Sequence, residues 1–358
     1  MVQRHGADIY RPDGKKAGLL DFSNSVVEVP PPAGWESRLA QSLKELRHYP
    51  QPYAIGLAGK IEKSLRLPAN SVMLGNGSSE CLGWIAQSLR AKHVIVEAPC
   101  FGEYAVWLSR AGAQFREIGA DEPWSPDWPR LALSLKGAQA FWTANPSNPA
   151  GLELSLKEFD ERLEFCRSKG ILLVLDEALH AQSLDSKQDK LLRRCVSQPG
   201  TLVVRSLSKG LGLPGLRLGY VARHPREIAR LGRFQEHWSV SSLAQSAGAW
   251  IFEAERRLFK SRQRTLKAWK ADLLTRLKKL PPHSLLARES DTGFFLCRLL
   301  GKLDSSRRLA SKLEKQGILV RSCASYGGWG SGNIRVNPRA PKENARLERA
   351  LKKIYAAP

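Results

Sequence analysis

Seven short apolar runs are spaced along the first two thirds of this chain, at residues 71–74, 93–97, 114–118, 138–143, 171–176, 201–205 and 218–222. Amphipathic stretches at 80–90, 103–111 and 156–169 lie between several of them. Strands alternating with helices point to an α/β domain built on a mainly parallel sheet with helices on both faces. The run Ile171-Leu-Leu-Val-Leu175 is apolar at every position, as expected of a strand covered on both sides.

The texture changes after about residue 245. A long helical pattern covers 246–280, with Leu266, Trp269, Leu273 and Leu277 on one face. Shorter strands are expected at 293–298, 318–321 and 333–336, which suggests a smaller α+β domain. The proline-rich stretch 29–34 reads as a linker. The expected division is a large domain at 35–245, with an N-terminal arm (1–34) joined to a small C-terminal domain (246–358). No internal repeat is visible.

With 358 residues, 42% of them hydrophobic and 25% charged, the chain has the composition of a soluble globular protein. The N-terminus is polar and has no apolar core of a secretory signal. The longest apolar run is far too short to span a bilayer. These features point to the cytoplasm. Six cysteines without CxxC spacing read as free thiols in a reducing compartment, and no metal-site pattern is present. The net charge of +22 comes from 56 Lys+Arg against 34 Asp+Glu. Spread along the chain and densest at 256–279, it reads chiefly as a solvated basic surface that draws anions weakly.

Four segments carry chemistry. Arg205-Ser-Leu-Ser-Lys209 follows a strand, and Arg217 returns eight residues after the lysine. The lysine can form an imine, while Ser206, Ser208 and Arg217 can hold a phosphate, for which the planar guanidinium fork is suited. A glycine-rich connection with a solvent-facing lysine is the plain alternative. Gly75-Asn-Gly-Ser-Ser79 leads from a strand into a helix, whose free N–H groups make an anion site. Asn145-Pro-Ser-Asn-Pro149 follows another strand and can present an amide donor. Asp176 ends the apolar run at 171–175, where an unpaired carboxylate is costly. Taken singly, these three also read as a helix cap, a turn and a helix cap.

Together and in this order, the segments resemble the class I/II aminotransferases of pyridoxal-phosphate (PLP) fold type I, over nearly the whole chain. Within that class the chain is most similar to the threonine-phosphate decarboxylases of cobalamin biosynthesis, relatives of histidinol-phosphate aminotransferase. His5-Gly-Ala-Asp8, Leu20-Asp-Phe-Ser23, Cys100-Phe-Gly-Glu-Tyr104, His237-Trp-Ser-Val240 and Val320-Arg-Ser-Cys-Ala-Ser-Tyr326 carry that likeness. Leu179 stands where histidinol-phosphate aminotransferases usually have tyrosine.

The resemblance implies pyridoxal 5'-phosphate as cofactor, held by Lys209 as a Schiff base. It implies that Asp176 pairs with the ring nitrogen, Asn148 with the phenolic oxygen and Phe101 with the ring face. Gly77, Ser78, Ser79, Ser206, Ser208 and Arg217 would surround the phosphate, joined by Tyr49 of a partner subunit in a homodimer. Arg335 would bind the substrate carboxylate, with Arg321 and His5 as candidates for a substrate phosphate. The implied reaction is decarboxylation of L-threonine O-3-phosphate to (R)-1-amino-2-propanol O-2-phosphate, with serine phosphate next. The alternative is an aminotransferase of the histidinol-phosphate type. A remote third reading is a non-catalytic nucleic-acid binder, for which the chain has little room before its large domain.

Ala7 and Asp8 replace the Gly and Asn of the family's His-Gly-Gly-Asn. Ser25-Val-Val-Glu28 replaces Asn-Ile-Asn-Pro, and His237 and Ser241 flank Trp-Ser-Val in place of Pro and Asn. These changes are expected to fall near the substrate, with Asp8 repelling a substrate phosphate unless it is paired.

Overall fold

The computed structural model describes residues 6–10, 13–26, 28–31, 33–119, 127–182, 188–301, 303, 305–326 and 328–356. Strand β1 (Leu20–Asp21) comes first in the chain. A seven-stranded sheet follows, made of β2 (Val72–Asn76), β3 (His93–Ala98), β4 (Gln114–Gly119), β5 (Ala140–Ala144), β6 (Leu172–Glu177), β7 (Thr201–Ser206) and β8 (Leu218–Arg223). All seven runs expected from the sequence are strands of this sheet, with ends shifted by one or two residues. The order is β2-β8-β7-β6-β5-β3-β4. β8 alone runs opposite to the other six strands, so the sheet is mainly parallel, as expected.

Covering helices explain the unbroken apolar runs. Leu173, Leu175, Phe141 and Val203 enter one core, and Val174, Trp142, Leu202 and Val204 enter the other. A strand buried on both faces has no polar side to show, which is why 171–175 carries no alternation. The helices Leu156–Ser168 and Ser78–Ser88 each cover one of these faces. The first starts with a capping box between Ser155 and Glu158.

The C-terminal part holds a second, antiparallel sheet. Its strands are β9 (Leu285–Arg288), β10 (Phe295–Leu299), β12 (Arg321–Ser322) and β13 (Asn333–Val336), in the order β12-β13-β10-β9. The strand expected at 318–321 is split. Its first half, β11 (Ile318–Leu319), pairs in parallel with β1, while Arg321–Ser322 pairs with β13. The long helix is Ser242–Leu277, and Leu266, Leu273 and Leu277 on it are buried.

The stretch 29–34 is more than a linker. Val29 is buried against Leu266, and the guanidinium of Arg262 bonds the Pro30 carbonyl. Further upstream, Arg339 bonds the Asp21 carbonyl at 2.9 Å and pairs with Glu28 at 3.2 Å, while Asn337 donates to the Val26 carbonyl at 2.6 Å. The segment from Leu20 to Pro30 is thus tied to the C-terminal part. All six cysteines are buried and free. Among the described residues no helix is long and apolar enough to cross a membrane.

One contact at the sheet tolerates no side chain. A Cβ on Gly219, in β8, would lie 2.4 Å from the Ser78 amide nitrogen and 2.9 Å from the Arg205 carbonyl oxygen. Both obstacles are backbone and cannot rotate away. Gly219→Ala is expected to cost roughly 1–3 kcal/mol of stability, as overpacking does. Urea unfolding measures this, and a variant as stable as the parent would contradict the packing described.

Candidate active site

Five strand ends meet at one edge of the large sheet. The C-terminal ends of β2, β3, β5, β6 and β7 lead to Gly77, Phe101, Asn148, Asp176 and Lys209 respectively. Because β8 runs the other way, it begins at this same edge and brings Arg217 there. Ligands of open α/β sheets bind outside the carboxyl ends of the strands. Here that edge borders a cavity of about 210 Å³, lined by Ser78, Ser79, Phe101, Asn148, Ser206, Lys209, Arg217, Arg321, Tyr326 and Arg335, with Gly6, Ala7 and residues 24–26 of the arm.

One end of the cavity is built for a phosphate. The Ser78–Ser88 helix starts there, directing its first N–H groups outward. Gly77 has φ 79°, and a Cβ on it would sit 2.3 Å from Arg217 Nη2. Only glycine lets the guanidinium lie across this turn. Arg217 itself is left-handed (φ 51°) and donates to the Pro214 carbonyl at 3.4 Å.

A second wall is polar and fixed. Asp176 is buried; its Oδ1 accepts the Ala178 N–H at 2.7 Å, and its Oδ2 accepts the Tyr104 hydroxyl at 2.6 Å. Asn148 Oδ1 accepts from Arg335 Nη1 at 2.7 Å and from the Tyr326 hydroxyl at 3.3 Å. With its oxygen so engaged, the amide nitrogen of Asn148 is the atom left to donate into the cavity. Arg335 is buried, also donates to the Ser23 carbonyl at 3.0 Å, and lies over the Phe294 ring. Arg321 donates to Ser325 Oγ at 2.8 Å and stacks on Tyr326.

Lys209 sits in a single helical turn, Ser208–Leu211, directly after β7. Arg262 donates to the carbonyl of the next residue, Gly210, at 3.3 Å. Burial pulls the Lys209 ammonium below the usual lysine value; Asp176 opposes this, and Arg335 and Arg217 add to it. The amine is therefore easier to deprotonate than a surface lysine, which suits an imine-forming nucleophile.

These groups fit pyridoxal phosphate. An anion cradle, an aimed amide donor and a softened lysine border this cavity, and the buried Asp176 carboxylate lines a small recess that shares Ser78, Phe101, Asn148 and Lys209 with it. The residues expected from the sequence come together there, with three qualifications. His5 and the side chain of Ser208 lie outside what the structure describes. Tyr49 is 79% exposed and stacks on Trp238 away from this chain's own cavity. The third concerns the departures. Ala7 and Ser25 line the cavity, but Asp8 is exposed and outside the lining. Glu28 pairs with Arg339, His237 bonds the Tyr53 hydroxyl at 2.8 Å, and Ser241 caps the long helix. None of these last three lines the cavity, whereas Val26 does, and Val27 lies outside the described residues; Glu28, His237 and Ser241 thus have structural partners within this chain.

Sequence reasoning missed Tyr104, Tyr326 and the Ser23 carbonyl as members of the site. Both tyrosines stood in segments that carried the family likeness, yet nothing local marks their hydroxyl partners.

Two outcomes follow from this geometry. Gly77→Ala is expected to weaken pyridoxal-phosphate binding about tenfold or more by displacing Arg217, read by titrating the apo-protein. Unchanged affinity would contradict the cradle. The rate of cofactor capture, followed by visible absorbance, should rise with pH and level off below about 10.4, the value of a free lysine. A rate still climbing at that pH would contradict the softened amine, and Lys209→Ala should show no capture band.

Comparison with known proteins places the chain in a family. The profile of the family Aminotransferase class I and II matches residues 38–354. Threonine-phosphate decarboxylase of Salmonella typhimurium (strain LT2) is 28% identical over 339 residues, 94% of this chain and 91% of that relative. Histidinol-phosphate aminotransferase 2 of Pseudomonas fluorescens (strain Pf0-1) is 29% identical over 321 residues, 89% and 84% of the two chains. Among solved structures, the histidinol-phosphate aminotransferase of Clostridium acetobutylicum has a TM-score of 0.86 at 22% identity, over 94% of this chain and 99% of that one. With a seven-stranded, mainly parallel sheet, a lysine at its edge and a profile spanning nearly the whole chain, this protein belongs to the class I and II aminotransferase family of pyridoxal-phosphate-dependent enzymes.

Proposed function

We propose that the protein decarboxylates a phosphorylated amino acid, with L-threonine O-3-phosphate as first candidate substrate and (R)-1-amino-2-propanol O-2-phosphate, a cobalamin precursor, as product. Serine phosphate is the second candidate. One observation carries the reading. The cavity lining includes Arg217, Arg321, Arg335 and Lys209 and no aspartate or glutamate among the described residues. Arg217 is taken up by the cofactor phosphate. Two guanidiniums remain, which match a substrate bearing both a carboxylate and a phosphate.

Pyridoxal phosphate, when bound, supplies the electron sink. The chain's own residues do the rest. Arg335, held between Asn148 and Ser23, fixes the substrate carboxylate. Arg321 takes the substrate phosphate. Asp176 holds the proton of the ring nitrogen, and Asn148 donates to the phenolic oxygen. Lys209 returns a proton to Cα after CO2 departs. The arm residues 24–26 close one side of the cavity and limit water entry.

The reading extends to a homodimer in the cytoplasm. Leu43, Leu46, Tyr49, Ile55 and Trp238 are all at least half exposed, an apolar set that a second subunit would cover. Tyr49 would reach the partner's phosphate cup from there. A division into 35–245 and the remainder accompanies this, supported by the ties between residues 20–30 and the C-terminal sheet.

The second reading, an aminotransferase acting on histidinol phosphate, draws on the same residues and on a relative of equal identity. Trapping CO2 separates the two. Purified protein given threonine phosphate or serine phosphate should release CO2 without a keto acid; turnover that needs a keto acid and releases none would overturn the proposal. Arg321→Ala should raise KM for the phosphorylated substrate roughly tenfold or more, and an unchanged KM would remove Arg321 from that role. Sedimentation should give about twice the 39.8 kDa chain mass.

A further inference from the structure

Asp176 does not face the cavity as a bare carboxylate. Tyr104 is 1% exposed and donates its hydroxyl to Asp176 Oδ2 at 2.6 Å, within the range of charge-assisted O–H···O⁻ bonds. The two residues are 72 positions apart and sit on different units, Asp176 at the end of β6 and Tyr104 in the helix Glu103–Ala111 after β3. The phenol is clamped. Its ring tilts against Trp142 at 4.9 Å and meets the Phe101 ring edge-on at 5.9 Å. Burial, with Asp176 beside it, pushes the Tyr104 phenol well above its ordinary value, so the hydroxyl keeps its proton and donates it to the carboxylate. Asp176 Oδ1 is already bonded to the Ala178 N–H. Between them the two donors fix the carboxylate plane.

We propose that Tyr104 is a positioning residue for the cofactor: it orients the Asp176 carboxyl group opposite the ring nitrogen, and through its ring fixes Phe101 against the ring face. This rests on the assignment of Asp176 as the partner of the ring nitrogen. Both contacts that a pyridine ring needs, an anion at its nitrogen and a flat surface on its face, then depend on one buried side chain. Leu179, which lines the same recess as Asp176 and Tyr104, carries no hydroxyl.

The test is a double-mutant cycle on the whole protein, using Tyr104→Phe, Asp176→Ala and the pair. Each is prepared without cofactor and titrated with pyridoxal phosphate, reading the dissociation constant and the position and pH midpoint of the visible band. Tyr104→Phe keeps the ring and its packing, so the thermal midpoint of the apo-protein should stay near that of the parent. Its dissociation constant should rise about tenfold, the weight of one charged hydrogen bond, and the band midpoint should move. On the Asp176→Ala background, Tyr104→Phe should change neither. A purely packing role, which the phenylalanine ring preserves, predicts an unmoved dissociation constant and band in Tyr104→Phe, whereas equal losses on both backgrounds would show an effect that does not pass through Asp176; either result would overturn the proposal. Effects in Tyr104→Phe with none in Asp176→Ala would instead remove Asp176 from the ring nitrogen.

Discussion

Ala144, Asp176 and Val204 stand side by side in three parallel strands. That register decides where everything else in the site can be. Four residues beyond Ala144 the chain reaches Asn148, and five beyond Val204 it reaches Lys209. A slip of one residue between β6 and β7 would turn Asp176 toward the opposite face, since side chains alternate along a strand. It would also separate Glu177 from Arg205, which face each other in the same register and form a fully buried ion pair at 2.7 Å. Pairs of this kind add little net stability, but leaving one partner alone in the interior costs about 3–5 kcal/mol. The pair therefore penalises wrong registers more than it stabilises the right one, one position away from Asp176.

The charges around the site are arranged by the same logic. Burial, with the nearby Asp189 and Asp176 adding to it, pushes the Glu177 carboxyl up to about 7 against the pull of Arg205. Arg205 also reaches Asp189 at 2.7 Å, and Arg162 pairs with Glu97 at 2.6 Å. Two cations at the cavity, by contrast, are held by carbonyl and amide oxygens. Arg335 leans on Asn148 and Ser23, and Arg217 on Pro214. Such partners hold a guanidinium in place without neutralising it, so its charge stays available to an anionic ligand.

Much of this was readable from the chain itself. The strands were legible because each is an apolar run bounded by loop residues, and Lys209, Asp176 and Asn148 because each follows such a run at a short, fixed interval. Gly77 and Arg217 could be paired as phosphate ligands, although not as the close contact that forbids a side chain. What stayed hidden depends on partners far apart in sequence. Tyr104 meets Asp176 across 72 residues, Tyr326 meets Asn148 across 178, and Arg335 meets Ser23 across 312. The pairing of Leu20–Asp21 with Ile318–Leu319 is only two residues long on each side, too short to leave a periodic signal. His237 and Ser241 misled for a related reason. They depart from the family pattern, but their partners are structural: Tyr53 for one and the first turn of the long helix for the other.

The central claim is that the edge where these strands end is a site for a doubly anionic amino acid whose carboxylate is lost. The most direct measurement is trapped CO2 from carboxyl-labelled threonine phosphate, incubated with the holoenzyme and no keto acid. The account predicts stoichiometric release that stops in Lys209→Ala and is strongly slowed in Arg335→Ala. Retention of the label in an oxo acid, formed only when an amino acceptor is added, would contradict it.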